Sequence, residues 1–154
     1  MFRGITAINL DSKGRIAIPT RYREPLRDDY EGQMVFTIDT ESPCLLLYPL
    51  KEWVVIEEKL KQLPGFNAAA RRKQRLLIGH ATEVEMDGQN RLLVPPPLRQ
   101  YAGLEKLSVL IGQGHKFEVW DEQTWQASRE VWLAQEKEAL EKEELPEELQ
   151  DIAL

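Results

Sequence analysis

An internal repeat constrains the fold of this chain more than any other feature of its sequence. Residues 11–15 read Asp-Ser-Lys-Gly-Arg and precede Ile-Ala-Ile-Pro, whereas residues 87–91 read Asp-Gly-Gln-Asn-Arg and precede Leu-Leu-Val-Pro. Both segments fit one template of an aspartate, three polar or turn-forming residues, an arginine, three small or aliphatic residues and a proline. The two copies are displaced by 76 positions. A repeat of this kind predicts two structurally related halves.

A second pair of matches supports the duplication. Tyr48 and Trp53 correspond to Trp120 and Trp125, with the same internal spacing but a displacement of 72 positions. The segment between the two sets of matches therefore differs by four residues in the two halves. A chain of 154 residues is about the size of a single domain. The two halves are therefore expected to share one core.

Each half is predicted to contain four strands and a short helix in the same order. The Asp-to-Arg segment forms a tight turn between the first two strands, and Pro19 ends the second strand of the first half. A short helix or helical turn is expected at residues 20–26 and again at 98–101, and Gly112–His115 supplies a hairpin loop. The predicted strands are Ile5–Leu10, Arg15–Ile18, Met34–Ile38, Cys44–Tyr48, Ala81–Met86, Arg91–Val94, Leu107–Ile111 and Lys116–Trp120.

Three longer helices are predicted outside these strands. The first helix is amphipathic, because the apolar residues Leu50, Trp53, Ile56, Leu60 and Leu63 recur at intervals of three and four, and it is expected to end at Pro64-Gly65. A second helix is predicted at residues 68–78 and carries the basic run Arg71-Arg72-Lys73-Gln74-Arg75. The third is the tail, which is expected to be helical to about Glu144 and frayed after Pro146.

The Asp-to-Arg turn has a chemistry of its own. The carboxylate of Asp11 can accept hydrogen bonds from backbone N–H groups that follow it, and Gly14 can adopt a positive φ without a Cβ clash. Alternation along the next strand places Arg15 on the face opposite Ile16 and Ile18. A fixed, exposed guanidinium can bind phosphate oxygens or the edge of guanine. A simple surface ion pair that closes a hairpin is the alternative for a single copy.

Charge is distributed unevenly along the chain. The net charge is −6, but residues 130–154 hold nine acidic residues against two lysines, a local charge of −7. Residues 1–27 hold six basic residues against two acidic ones, a local charge of +4. The acidic average therefore does not exclude binding to nucleic acid, because the basic residues are concentrated at the front of the chain.

Several function classes find no support in the sequence. A catalytic serine or cysteine motif is missing, as is a glycine-rich phosphate loop, so an enzyme is not expected. No cofactor and no metal site are predicted, because His80 and His115 lack neighbours at metal-ligand spacing. Cys44 stands in an apolar run and is predicted to be buried. No apolar run suits a membrane span or a signal peptide, so we expect neither membrane association nor export.

Separated motifs together give the chain a resemblance to the MraZ family, whose tandem modules are similar to the AbrB and SpoVT swapped-hairpin barrels. The resemblance covers the chain to about Trp125. It rests on Met1-Phe2-Arg3-Gly4, the motif at residues 11–15, Pro19, Arg21, the run Cys44–Pro49, Gly79-His80, and Asp87 with Arg91.

The resemblance implies a fold. We expect an α+β protein that is mainly β, in which two tandem AbrB-like swapped-hairpin modules form a shared barrel with flanking helices. The modules are expected at residues 1–53 and 80–125, with connecting helices at 54–79 and an acidic helix or tail at 126–154.

The resemblance also implies a function. It suggests a cytoplasmic, nucleoid-associated transcriptional repressor that binds short direct repeats in double-stranded DNA upstream of its own operon, the division and cell-wall gene cluster. The family's regulators form ring-like homo-oligomers, and no small-molecule substrate is implied. The DNA-binding residues would be Arg3, Lys13, Arg15 and Arg91, with Asp11, Gly14 and Asp87 supporting the turns.

Two alternatives remain open at this stage. Arg15 and Arg91 could instead make salt bridges between subunits of a structural ring or scaffold. An antitoxin-type module of the same fold could use its acidic tail to neutralise a toxin. Because Gln89 replaces Lys13 in the second copy, the first copy is expected to contact more phosphates than the second. The sequence leaves open whether Arg71–Arg75 also touches DNA.

Overall fold

The fold was analysed in a computed structural model that describes residues 1–143, 145–152 and 154. The protein is a mixed α+β protein with a large antiparallel sheet. The expectation that it is mainly β is wrong, because helices contain more of the described residues than strands do. It divides into two compact units, Met1–Glu122 and Gln123–Leu154. The first unit contains every strand, so it holds both copies of the repeated motif.

The strands follow the predicted order, and their bounds differ from the prediction by a few residues. They are β1 (Phe2–Asn9), β2 (Arg15–Ala17), β3 (Gln33–Ile38), β4 (Leu45–Pro49), β5 (Thr82–Glu85), β6 (Arg91–Leu93), β7 (Leu107–Gly114) and β8 (Phe117–Asp121). The helices are α1 (Thr20–Tyr30), α2 (Leu50–Lys61), α3 (Ala68–Lys73), α4 (Pro96–Tyr101), α5 (Glu122–Glu141) and α6 (Glu147–Gln150). A π-helical segment, Gln74–Ile78, continues α3.

Six strands form one antiparallel sheet in the order β1-β7-β8-β4-β3-β5. The first strand of each half pairs with the third strand of the other half: β1 runs against β7 from Phe2 opposite Gly114 to Asn9 opposite Leu107. Likewise β5 pairs with β3, with Met34 opposite Val84. The two halves are therefore joined through backbone hydrogen bonds along both outer strand pairs.

The remaining two strands form a separate ribbon, in which β2 and β6 are antiparallel. No pairing of β1 with β5 closes the six-stranded sheet within residues 1–143. The shared barrel expected from the resemblance is therefore not confirmed, and neither is the swapped-hairpin arrangement. The strand bounds also correct the predicted loop at Gly112–His115, because β7 continues to Gly114 and the connection to β8 is shorter.

One hydrophobic core serves both halves, as the size of the chain requires. Ile16 and Ile18 of the first half lie in the same buried cluster as Leu92 and Val94 of the second. A smaller cluster lies beneath α2, where Trp53 is buried against Tyr48 with ring centroids 5.5 Å apart. The predicted amphipathic face of α2 is confirmed except at its end, because the helix stops at Lys61 and Leu63 lies beyond it.

The four-residue difference between the halves is divided between two segments. Val35 is opposite Tyr48 and Val109 is opposite Trp120, so two of the residues lie in the β3–β4 connection and two in the segment that contains α1. Helix α1 has 11 residues, whereas α4 has 6. Each ends close to a residue with left-handed backbone, Glu31 after α1 and Gly103 after α4. The prediction of a short helix at residues 20–26 therefore understated α1, which carries one additional turn.

The second compact unit contains most of α5 and all of α6. Helix α5 ends at Glu141, and Glu144, where the sequence placed the helix end, lies outside the described residues. A short helix follows Pro146 where fraying was expected, which is a correction to the sequence prediction. Trp125 and Trp132 are in contact on α5, with ring centroids 6.0 Å apart. None of the helices described is long and apolar enough to cross a bilayer.

Candidate nucleic-acid interface

The turn at residues 11–15 is held by a single carboxylate. Oδ1 of Asp11 accepts hydrogen bonds from the backbone N–H of Lys13 at 3.0 Å and of Arg15 at 2.9 Å. Its other oxygen, Oδ2, accepts from Nε of Arg15 at 2.8 Å. Gly14, with φ of +82°, donates its N–H to the carbonyl of Asp11 at 3.0 Å. The aspartate therefore fixes both the backbone turn and the arginine that follows it.

The turn at residues 87–91 repeats this arrangement bond for bond. Oδ1 of Asp87 accepts from the backbone N–H of Gln89 and of Arg91, both at 2.9 Å, and Oδ2 accepts from Nε of Arg91 at 2.9 Å. Asn90 occupies the place of Gly14, with φ of +60°, and donates its N–H to the carbonyl of Asp87 at 3.0 Å. Asparagine tolerates this left-handed conformation better than other non-glycine residues.

These bonds keep both carboxylates ionised. The pKa of Asp11 is lowered, chiefly by the hydrogen bond from the backbone N–H of Arg15, while partial desolvation opposes the shift. The pKa of Asp87 is lowered chiefly by the equivalent N–H of Arg91. Each carboxylate is thus negatively charged at neutral pH and stabilises the cation beside it.

Arg15 and Arg91 lie on the same face of the β2–β6 ribbon. Arg15 is opposite Leu93 and Arg91 is opposite Ala17, so the two arginines are diagonal neighbours with Cα atoms about 7–8 Å apart. The other face carries Ile16, which is buried, so the arginines point away from the core, as strand alternation predicts.

Each arginine keeps most of its hydrogen-bonding capacity. The aspartates bind only Nε, and within the described part of the chain neither Nη group of Arg15 or Arg91 donates to a protein acceptor. Their side chains are 26% and 28% exposed, so both are partly accessible to solvent on the ribbon. A guanidinium held by Nε can present its two Nη groups to a planar acceptor such as phosphate or a guanine edge.

The other predicted contact residues are not all close to this ribbon. Lys13 is exposed at the tip of the first turn. Arg3 is exposed at the opposite end of β1, roughly 20 Å away at about 3.3 Å per residue. Its backbone carbonyl accepts a hydrogen bond from the hydroxyl of Tyr22. The structure therefore groups Lys13 with Arg15 and Arg91, and it does not bring Arg3 to them.

Sequence reasoning missed the arginines that helices bring to the turns. Nε of Arg27 on α1 donates to Oδ1 of Asn90 at 2.9 Å, and its Nη2 donates to the carbonyl of Asp87. Arg99 on α4 lies over Gly14 of the first turn. Each turn therefore contacts a helix of the other half. The spacing of the repeat offered one signal, because Arg99 follows Arg23 by 76 positions.

Two further features lie away from the ribbon. In the predicted basic run, Arg71, Arg72 and Arg75 are exposed, and Lys73 donates to the hydroxyl of Thr40 at 2.7 Å. Ligand atoms of Asp39, Cys44 and Glu118 lie within 4.8 Å of one another. The Cys44 thiol is buried, as predicted, and its pKa is raised mainly by desolvation, so it carries a proton at neutral pH. A protonated thiol is a poor metal ligand.

Comparison with known proteins agrees with the duplicated architecture. A family model described as "MraZ protein, putative antitoxin-like" matches residues 1–76 and, a second time, residues 77–148. The chain is 57% identical over 154 residues to a protein named transcriptional regulator MraZ from Legionella pneumophila (strain Corby), covering all of both chains. The same identity and coverage hold for a protein of that name from Yersinia pseudotuberculosis serotype O:1b (strain IP 31758).

The paired turns, the shared core and these relatives define the class of protein, a transcription regulator built from two homologous halves. Within that class, the chain belongs to the MraZ family.

Proposed function

We propose that the chain is a sequence-specific DNA-binding repressor that contacts duplex DNA through the exposed face of the β2–β6 ribbon. One observation carries the proposal: Arg15 and Arg91 lie side by side on one face, each oriented by an aspartate, with their terminal nitrogens free among the described residues. Lys13 extends this cationic face at the first turn. Rigidly held arginines suit both phosphate contact and base readout in the major groove.

Action as an oligomer is part of the proposal. Three or four cationic contacts neutralise few phosphates, so a single chain would bind with Kd of about 10⁻⁴ M at physiological salt. Joining several chains in a ring raises the effective concentration and gains roughly 10²-fold in avidity, provided that neighbouring subunits reach successive sites. Short direct repeats in the DNA would supply such sites.

The remaining details follow from family membership. The proposed target is the chain's own operon, the division and cell-wall gene cluster, and the proposed location is the nucleoid in the cytoplasm. The shared swapped-hairpin barrel and the module boundaries 1–53 and 80–125 also remain proposals. The exchange of first strands between the halves, seen in the β1–β7 and β3–β5 pairs, supports the barrel arrangement.

A gel-shift series tests this function. Wild-type protein is titrated against the region upstream of its own gene at several salt concentrations, and log K is expected to fall linearly with log salt. Arg15→Ala should abolish the shift while the oligomer stays intact. Lys59→Ala, which removes an exposed positive charge on α2, is the matched control and should bind normally. Wild-type protein that binds no duplex at low salt would overturn the proposal.

The Arg15→Ala variant also distinguishes DNA binding from the scaffold alternative. If Arg15 bridges subunits, Arg15→Ala dissociates the oligomer, and size-exclusion chromatography with light scattering detects the smaller species. The antitoxin alternative draws on the description of the family model. It requires a toxin partner that binds the acidic tail and loses binding when the tail glutamates are replaced by glutamine.

A further inference from the structure

Arg99 is a half-buried cation at the first turn. A Cβ atom added to Gly14 would lie 2.6 Å from Nη1 of Arg99 and 3.1 Å from its Cζ, so the guanidinium rests directly on the turn. The oxygens of Asp11 are already bound to Lys13 and Arg15. Among the described residues, no acceptor receives a hydrogen bond from the Arg99 side chain.

Two arginines on α1 of the first half are paired. Arg23, the repeat equivalent of Arg99, donates from Nε to the carbonyl of Ile18 at 2.7 Å. Arg27 lies in the last turn of α1 and donates to both Asp87 and Asn90 of the second turn. The shorter helix α4 lacks that turn. Both turns therefore lie against an arginine of the other half. Arg27 is hydrogen-bonded to the second turn, whereas among the described residues Arg99 makes no such bond to the first.

An open groove of about 970 Å³ lies beside Arg99 at the first turn. Its wall includes Asp11, Ser12, Arg99, Gly103 and Lys106, and Glu105 also lines it. The Asp11 charge is offset by Arg15, which leaves Arg99 and Lys106 beside the single carboxylate of Glu105 among the charged groups that line the groove. A partly desolvated guanidinium without an acceptor is unfavourable, and an anion supplied from outside would relieve that cost.

We infer that Arg99 and Lys106 form a second phosphate-binding site beside the first turn, which holds the DNA backbone when Arg15 engages the duplex. The inference rests on the proposed DNA binding and extends it to two residues outside the repeated motif. Because Arg27 is already hydrogen-bonded to Asp87 and Asn90 at the second turn, the two ends of the ribbon are expected to bind DNA unequally. Although the two halves share the repeated motif, each subunit would therefore bind the duplex in one preferred orientation.

The test combines charge removal with a modified backbone. Arg99→Ala and Lys106→Ala are each expected to weaken binding of the upstream duplex about tenfold and to lower the salt slope by about 0.9. Duplexes carrying one neutral methylphosphonate at successive positions are then titrated. Wild-type protein should lose affinity at one or two positions, and Arg99→Ala should be insensitive at those same positions. Lys59→Ala is the control and should match the wild type.

Two outcomes would overturn the inference. If wild-type protein and Lys59→Ala bind but Arg99→Ala and Lys106→Ala keep the wild-type affinity and slope, the inference is wrong while the proposed function stands. If inorganic phosphate binding is lost in Arg99→Ala but the duplex affinity is unchanged, the site takes free anions and the DNA assignment fails. Lys106→Ala removes only an exposed side chain, so it carries the test even if Arg99→Ala folds poorly.

Discussion

Ile16 lies directly opposite Leu92 in the β2–β6 ribbon, and each is the repeat equivalent of the other. Both side chains are fully buried in the core shared by the two halves. Two reciprocal hydrogen bonds flank this pair: Ile18 donates to the carbonyl of Asn90 at 2.9 Å, and Val94 donates to the carbonyl of Gly14 at 2.8 Å. A local two-fold relationship therefore passes between Ile16 and Leu92, and each half holds the turn of the other.

Truncation at this centre should destabilise the whole first unit. Ile16→Ala or Leu92→Ala is expected to lower the free energy of unfolding by about 2–5 kcal/mol, because each leaves a cavity in a core that both halves share. Leu93→Ala is the matched control, since Leu93 is 52% exposed on the other face of the ribbon. Urea denaturation measures the difference, and an equal loss in the control would contradict this account of the core.

The Asp11 carboxylate should make stability depend on pH. Its folded-state pKa is lowered, so its contribution is present above the unfolded pKa of about 3.9 and is lost as the pH falls through the folded pKa. Asp11→Asn keeps an acceptor oxygen but removes the charge. Thermal melts should show the wild type more stable at pH 7, with the gap closing below about pH 4. If the stability difference between the wild type and Asp11→Asn increased at acidic pH, the inferred lowering of the Asp11 pKa would be wrong.

Substitution of Gly14 should destabilise the protein more than substitution of its counterpart in the other half, Asn90. Gly14→Ala places a Cβ at positive φ and 2.6 Å from Nη1 of Arg99, and a loss of about 1–2 kcal/mol is expected. The reverse change in the other turn, Asn90→Gly, relieves the backbone but loses the hydrogen bond from Arg27. It should therefore change stability less. Chemical denaturation of both variants checks the order, and equal losses would argue against it.

Adding a positive charge to the second turn, or removing one from the first, should change DNA binding in opposite directions. Gln89→Lys is expected to strengthen binding to the upstream duplex and to steepen the salt dependence by about 0.9, because it gives the second turn the cation of the first. Lys13→Gln should do the opposite. Fluorescence anisotropy at several salt concentrations measures both. If neither variant changes the slope, the turn tips lie outside the DNA interface.

The thiol of Cys44 should be unreactive in the folded protein. Its side chain is fully buried, and desolvation, aided by the charges of Glu118 and Asp39, raises the pKa of its thiol. An aromatic disulfide reagent should react only as fast as the protein unfolds, with full reaction in denaturant. Rapid labelling under native conditions would show that the β4 region opens locally.

The sequence by itself was sufficient for the features that depend on neighbours along the chain. The Asp11 and Asp87 turns are closed by bonds spanning at most four residues, so residue type and spacing predicted them, and alternation predicted the outward direction of Arg15. The helices and most strands followed for the same reason. Where the prediction misjudged the end of α1, contacts of the helix with the rest of the fold outweighed local propensity.

Only the tertiary structure decided which distant segments meet. The pairing of β1 with β7 joins residues about a hundred positions apart, and no local pattern specifies that partner. The positions of Arg27 and Arg99 on turns of the opposite half depend on this exchange and on one additional helical turn in α1. The sequence likewise did not predict that, within residues 1–143, no pairing of β1 with β5 closes the sheet. Local hydrogen bonds depend on residues close together in the sequence, whereas the packing between the halves depends on the free energy of the whole core.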